Sequence, residues 1–161
     1  MNKNLIKWGV GILAVLFIIA GSMLMYEGNN TRVELTESLA AENITGADPQ
    51  ILLSYEGARA PEGVEVPVVT IDSGRQAYYQ AQVIQTHTMN ITGGKTYAEM
   101  DREDPGRATY ITSLTLQNSL NMAFMGLEIT RLIIGLGVAF LGLGIGMAVL
   151  GLPVVNRVFA S

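Results

Sequence analysis

LIIGLGVAFLGLGIGMAVLGL, Leu132 to Leu152, is a run of twenty-one residues without a charge. A helix of that length and composition can cross the hydrocarbon core of a bilayer, so this stretch predicts a membrane-spanning helix and a mainly α chain. The helical pattern continues upstream to Asp104-Pro105, an N-cap residue followed by proline at the first helical position. Between Arg107 and Thr130 the residues Tyr110, Leu114, Leu116, Leu120, Phe124 and Leu127 stand among Ser, Thr, Asn and Gln, a mixture expected of a helix packed on neighbours in water. At 1.5 Å per residue, one unbroken helix from Pro105 to Leu152 would be roughly 70 Å long, with about half of it outside the bilayer.

A second apolar run, Trp8 to Tyr26, has nineteen uncharged residues with an aromatic at each end. Amphipathic rings prefer the headgroup zone, which suits a first spanning helix. Lys3 and Lys7 with Ala20-Gly21-Ser22 also satisfy the outline of a cleavable signal peptide, but the apolar run exceeds a typical h-region. All fourteen Asp and Glu lie between Glu27 and Glu128, whereas Lys3, Lys7 and Arg157 flank the two apolar runs. Residues 27–131 hold seven Lys and Arg against those fourteen acids, a net of seven negative charges. Basic flanks stay on the cytoplasmic side, so the expectation is a plasma-membrane protein with both termini inside. Its segments would be a cytoplasmic 1–7, a span at 8–26, an extracytoplasmic domain at 27–131, a span at 132–152 and a cytoplasmic 153–161. An acidic middle argues against a nucleic-acid partner. The absence of cysteine removes disulfides and thiolate chemistry.

Within the middle, Thr31-x-x-Glu34 has capping-box spacing and would start a helix to about Glu42, unless the first span simply continues. Pro49, Pro61 and Pro67 interrupt short β-branched runs between Asn43 and Gly74, which predicts an irregular, extended loop. Ser73-x-x-Gln76 opens a further amphipathic helix, with Ala77, Ala81, Ile84, Thr88 and Ile91 at helical intervals, closed by Gly93-Gly94. Thr96-x-x-Glu99 is expected to cap a short turn. The fold expected is therefore two transmembrane helices flanking a small extracytoplasmic helical domain, with the second span continuous with a long outer helix.

No catalytic constellation, cofactor motif or resident metal set is evident. Gly93-Gly94-Lys95-Thr96 is similar to the end of a phosphate loop, but Met89 occupies the position that needs glycine, so a helix-ending turn is expected. His87 is the sole histidine and cannot complete a two-histidine metal site; with Met89 and Met100 it could at most offer a soft copper-type site. Glu99, Asp101, Glu103 and Asp104 interleave with Arg102 and Arg107, which predicts a solvated turn with local ion pairs and misses the calcium-loop spacing. The sequons Asn29-Asn30-Thr31, Asn43-Ile44-Thr45 and Asn90-Ile91-Thr92 all fall in the segment expected outside, though an ordinary bacterial cell would leave them unmodified.

The glycines are the remaining feature. Gly135 and Gly142, then Gly137, Gly144 and Gly151, then Ala139 and Gly146, each recur at seven-residue spacing. Small residues let helix backbones approach closely in lipid, where no hydrophobic force draws helices together. The stripes occupy more than one face, so one intramolecular partner would not use them all. All seven are candidate helix-packing residues. In the first run Gly9, Gly11, Ala20, Gly21 and Ser22 could serve the same purpose. A rotor-type proteolipid also carries alternating glycines but requires an intramembrane carboxylate, which neither run has.

Through Ala41-Glu42-Asn43-Ile44-Thr45, Gln80-Ala81-Gln82-Val83-Ile84, His87, Thr92-Gly93-Gly94-Lys95-Thr96-Tyr97-Ala98-Glu99 and Arg102-Glu103-Asp104-Pro105, the chain resembles a group of small two-span membrane proteins of actinobacterial type. The resemblance implies a shared outer domain between two spans. Members often carry the label of an aromatic ring-opening dioxygenase small subunit, an activity whose iron needs two His and a carboxylate where this chain has His87 alone. The function expected is a non-enzymatic accessory or assembly subunit of a larger membrane complex, respiratory or oxygenase-like, with other integral membrane subunits and the bilayer as partners. Two alternatives stand beside it: a self-assembling homo-oligomer forming a ring or channel, and an extracytoplasmic metal-binding protein using His87.

Overall fold

The structure, a computed structural model, describes residues 3–46 and 70–158. Regular structure among them is helical, with no strand: α1 (Lys3–Ala41), α2 (Gly74–Ile91), α3 (Gly106–Gly146), a π-helical turn (Met147–Gly151) and α4 (Leu152–Val158). The helical runs Asn4–Ala41 and Gly106–Val155 are long and apolar enough to cross a membrane. Most of the extended loop expected between Asn43 and Gly74, including its three prolines, lies outside the described residues. The chain divides into two compact units, Met1–Val33 with Ile129–Ser161, and Glu34–Glu128.

In the first unit, α1 and α3 run antiparallel with their backbones in near contact. A Cβ at Gly21 would lie 2.6 Å from the Leu141 nitrogen and 2.7 Å from the Gly137 carbonyl oxygen. One at Gly144 would lie 2.8 Å from the Ala14 oxygen, and one at Gly28 would meet Ile134 Cγ1 at 2.8 Å. Only hydrogen fits at these places. Phe17 and Phe140 meet edge to face, with centroids 5.3 Å apart, where larger groups fill the seam between the glycines.

The π-helical turn follows from Pro153. Proline has no N–H for the carbonyl of residue 149, and its ring crowds that carbonyl in a regular helix. The Leu152 N–H donates to the Met147 oxygen instead, an i to i−5 bond that widens the turn ahead of the proline. The helix therefore continues past the proline, through Val158.

At Thr31 the first run simply continues, the second of the two readings: α1 is unbroken from Lys3 to Ala41, and its amides at this point already have partners one turn back. α1 ends beyond Ala41, where Asn43 takes φ 50° and donates its N–H to the Ala40 oxygen.

The second unit packs the end of α1, α2 and the beginning of α3 around Leu39, Ile71, Ala77, Ala81, Leu120 and Leu127. The expected helical face of α2 is the one that faces in: Ala77 and Ala81 are buried, Ile84 packs on the core, and the buried Thr88 hydroxyl donates to the Ile84 oxygen at 2.6 Å. Ile91, at the end of that series, is exposed. On α3 the mixed face divides: Leu120 and Leu127 are buried, Phe124 stacks on Tyr78 at 5.1 Å, and Leu114 and Leu116 are exposed. The polar residues there are self-satisfied, since Thr112, Thr115 and Ser119 each donate to the carbonyl four residues earlier. Ile71 is fully buried, and its N–H donates to the Ile44 oxygen at 3.0 Å, so the residues on either side of 47–69 are joined by a main-chain bond.

Four local signals fix the start of α2 and its connection to α3. Ser73 caps α2 by accepting from the Gln76 N–H, while the Gln76 side chain accepts from the Asp72 N–H. Gly93 and Gly94 take φ 61° and 79°, and the Gly94 N–H donates to the Met89 oxygen at 2.7 Å, closing the helix. Asp104 accepts from the Gly106 N–H at 2.8 Å and opens α3. The Glu99 carboxylate accepts from the Thr96 N–H at 2.8 Å and from its hydroxyl at 2.7 Å.

Those Thr96 bonds, with a smaller pull from Lys95, hold the Glu99 carboxyl below its ordinary value of 4.5. A lowered folded value means that the cap is complete above the unfolded value and is lost as pH falls through the folded one. The Thr96 amide resonance is expected to titrate with a midpoint below 4.5 and to lose that titration in Glu99→Gln. A midpoint at or above 4.5 would contradict this assignment.

Candidate interaction surface

The glycines of α3 separate by direction. At about 100° per residue, Gly137 and Gly144 lie on one side of the helix. Gly135, Ala139, Gly142 and Gly146, at spacings of four, three and four, lie roughly on the opposite side. The first side is the contact with α1. A Cβ at Gly137 would lie 2.7 Å from Met25 Cγ and 2.8 Å from the Gly21 oxygen, and one at Gly151, beyond the π turn, would lie 3.3 Å from Val10 Cγ1. Gly137, Gly144 and Gly151 are therefore used within the chain and are not open to another subunit.

Among the described residues the second side meets nothing. A Cβ at Gly135, Gly142 or Gly146 would find no atom within 4 Å, and Ala139 is exposed. This leaves a shallow, small-residue track along α3, bordered by the exposed Leu132, Leu136 and Leu143. Its chemistry is that of close helix docking: backbone carbonyls and Cα hydrogens are accessible, and no ionisable group lies between Leu132 and Leu152.

Of the partners on α1, sequence reasoning named Gly21 but missed Ala14 and Gly28. Ala14 and Gly28 stand seven residues either side of Gly21, matching the spacing of Gly137, Gly144 and Gly151. That match was the available signal. Gly9 and Gly11, singled out as packing glycines, face open space.

Other candidates fall elsewhere. His87 is exposed on α2, and among the described residues no three His, Cys, Asp or Glu side chains come together as a metal-binding group. In the acidic turn, the expected ion pairing of Arg107 gives way to main-chain bonds. Its Nη1 donates to the Met100 oxygen at 2.8 Å and the Tyr97 oxygen at 3.2 Å, and its guanidinium lies 3.8 Å from the Tyr97 ring centroid. Among the described residues, two carbonyls and a π face satisfy this planar cation without any carboxylate. The Gly93-Gly94 turn presents no phosphate cradle, since its amides are committed to the end of α2.

No family model, curated protein or solved structure matches the chain.

Proposed function

We propose that this chain is a two-span integral membrane subunit without catalysis of its own, which joins other membrane subunits through the outward track Gly135, Ala139, Gly142 and Gly146. The spanning reading is supported by how little of the two long helices is covered: 11% of the most apolar window of each is buried. A core helix of a water-soluble protein would be mostly covered, and so large an uncovered apolar surface belongs in lipid. Basic residues at both ends and acidic residues between them orient the protein with its termini in the cytoplasm and residues 27–131 outside.

The observation that carries the partner-binding reading is the presence of two opposed small-residue faces where the chain's own helix pair needs one. Glycine in a helix interior costs about 1 kcal/mol relative to alanine. At Gly137 and Gly144 that cost is offset by the close contact with α1, and a partner helix on the other face would offset it at Gly135, Gly142 and Gly146.

The test is the double substitution Gly142→Leu with Gly146→Leu in the chain purified from its native membrane. Expression, insertion and the α1–α3 pair should be retained, while co-purifying subunits fall away by an order of magnitude or more, as an extra side chain in a backbone-close interface costs roughly 1–3 kcal/mol at each site. Native mass measurement in mild detergent identifies the kind of assembly. Unlike partners denote an accessory subunit, and a repeated single mass denotes a homo-oligomer. Unchanged association in the double variant removes the track as an interface.

A further inference from the structure

Lys7 and Trp8 stand at the beginning of α1 beside a dip in the helix surface. Gly11 has no side chain, and a Cβ built there would meet nothing within 4 Å. Two shallow grooves meet at this dip. One, of about 360 Å³, is lined by Asn4, Lys7, Trp8, Gly11 and Leu152. The other, of about 370 Å³, is lined by Trp8, Gly11, Ile12, Val15 and Leu16. Trp8 is 72% exposed and forms a wall common to both. Leu152, set by the π turn, is the contribution of the second helix.

The charges here are of one sign. No Asp or Glu precedes Glu27 or follows Glu128, and Lys7 has no side-chain partner among the described residues. A ligand suited to this surface is anionic at the Lys7 end and apolar beyond it. From Lys7 to Leu16 the helix rises roughly 14 Å, close to the ~15 Å hydrocarbon depth of one leaflet. A soluble anion would match the lysine but not the apolar trough leading away from it.

We infer that this surface holds an anionic phospholipid of the surrounding membrane, with its phosphate on the Lys7 ammonium and an acyl chain laid along Trp8, Gly11, Ile12 and Val15. The inference rests on the spanning reading, but not on the glycine track.

Trp8 is the sole tryptophan, so its fluorescence reports on this place alone. The full chain is reconstituted in phosphatidylcholine vesicles that contain an equal small fraction of either brominated phosphatidylglycerol or brominated phosphatidylcholine. The brominated anionic lipid should quench Trp8 with a constant about fivefold higher, the enrichment expected of one lysine near an anionic headgroup. Lys7→Gln should make the two lipids equal, Lys7→Arg should keep the preference, and Arg157→Gln should leave it intact. Gly11→Leu, which fills the dip, should lower quenching by the anionic lipid. Equal quenching of the unaltered protein by both lipids overturns the inference. So does loss of the preference in Arg157→Gln as large as in Lys7→Gln, which would mean a diffuse basic end and no site. Absence of quenching by either lipid overturns the spanning reading and this inference with it.

Discussion

Gly137→Ala should cost about 3 kcal/mol or more, whereas Gly142→Ala, five residues along the same helix, should be neutral or stabilising by up to ~1 kcal/mol. The two substitutions add the same methyl group. At Gly137 it would arrive 2.8 Å from the Gly21 carbonyl oxygen and 2.9 Å from the Met25 nitrogen, which are backbone atoms that cannot swing aside. The helices must separate along the seam, losing the close approach at Gly21 and Gly144 as well. At Gly142 the methyl meets nothing within 4 Å, so the better helix propensity of alanine is all that remains. Reversible unfolding of the purified protein in detergent, followed by circular dichroism, measures both. Equal effects at the two positions would refute the assignment of one face to the internal seam and the other to the outside.

Ile71→Ala is the second large effect expected, a loss of about 2–5 kcal/mol confined to the Glu34–Glu128 unit. Ile71 has no exposed surface and sits in the cluster with Leu39, Ala77, Ala81, Leu120 and Leu127. Its neighbours include two alanines, which cannot extend to fill the vacated volume, so the cavity term adds to the lost transfer energy. Ile91→Ala on the 55% exposed end of α2 supplies the comparison and should change stability by less than about 0.5 kcal/mol. Hydrogen exchange at the amides of Ala77 and Ala81 reads the result directly, because these residues line the same core. Protection unchanged in Ile71→Ala would mean that the cluster does not hold this unit together.

The features legible in the sequence were those set by local chemistry. Ser73, Gly93-Gly94 and Asp104-Pro105 each announce a helix end, because capping needs a particular side chain or a left-handed backbone at one position. The two apolar runs were equally plain, since their length and lack of charge are properties of composition. Thr31-x-x-Glu34 left two readings open because the same residues can ride on a continuing helix once neighbouring turns supply the hydrogen bonds, which is what they do.

The division of the glycines was hidden by pairing. Nothing in LIIGLGVAFLGLGIG says whether Gly135 or Gly137 faces another part of the chain, because the answer lies in residues more than a hundred positions earlier. Ala14, Gly21 and Gly28 hold the matching spacing, and only the register of α1 against α3 brings Gly21 to Gly137. Arg107 is a similar case, since its carbonyl partners at Tyr97 and Met100 depend on how the turn before α3 folds back.

That register also has a consequence for synthesis. Gly21 leaves the ribosome 116 residues before Gly137. At roughly 5–20 residues per second, α1 waits on the order of ten seconds with its narrow glycine seam uncovered. During that interval its small-residue face lacks the helix that the finished chain lays against it. A nascent chain stalled before Gly137 would keep it so indefinitely. Completion of the last helix is thus what covers the seam of the first.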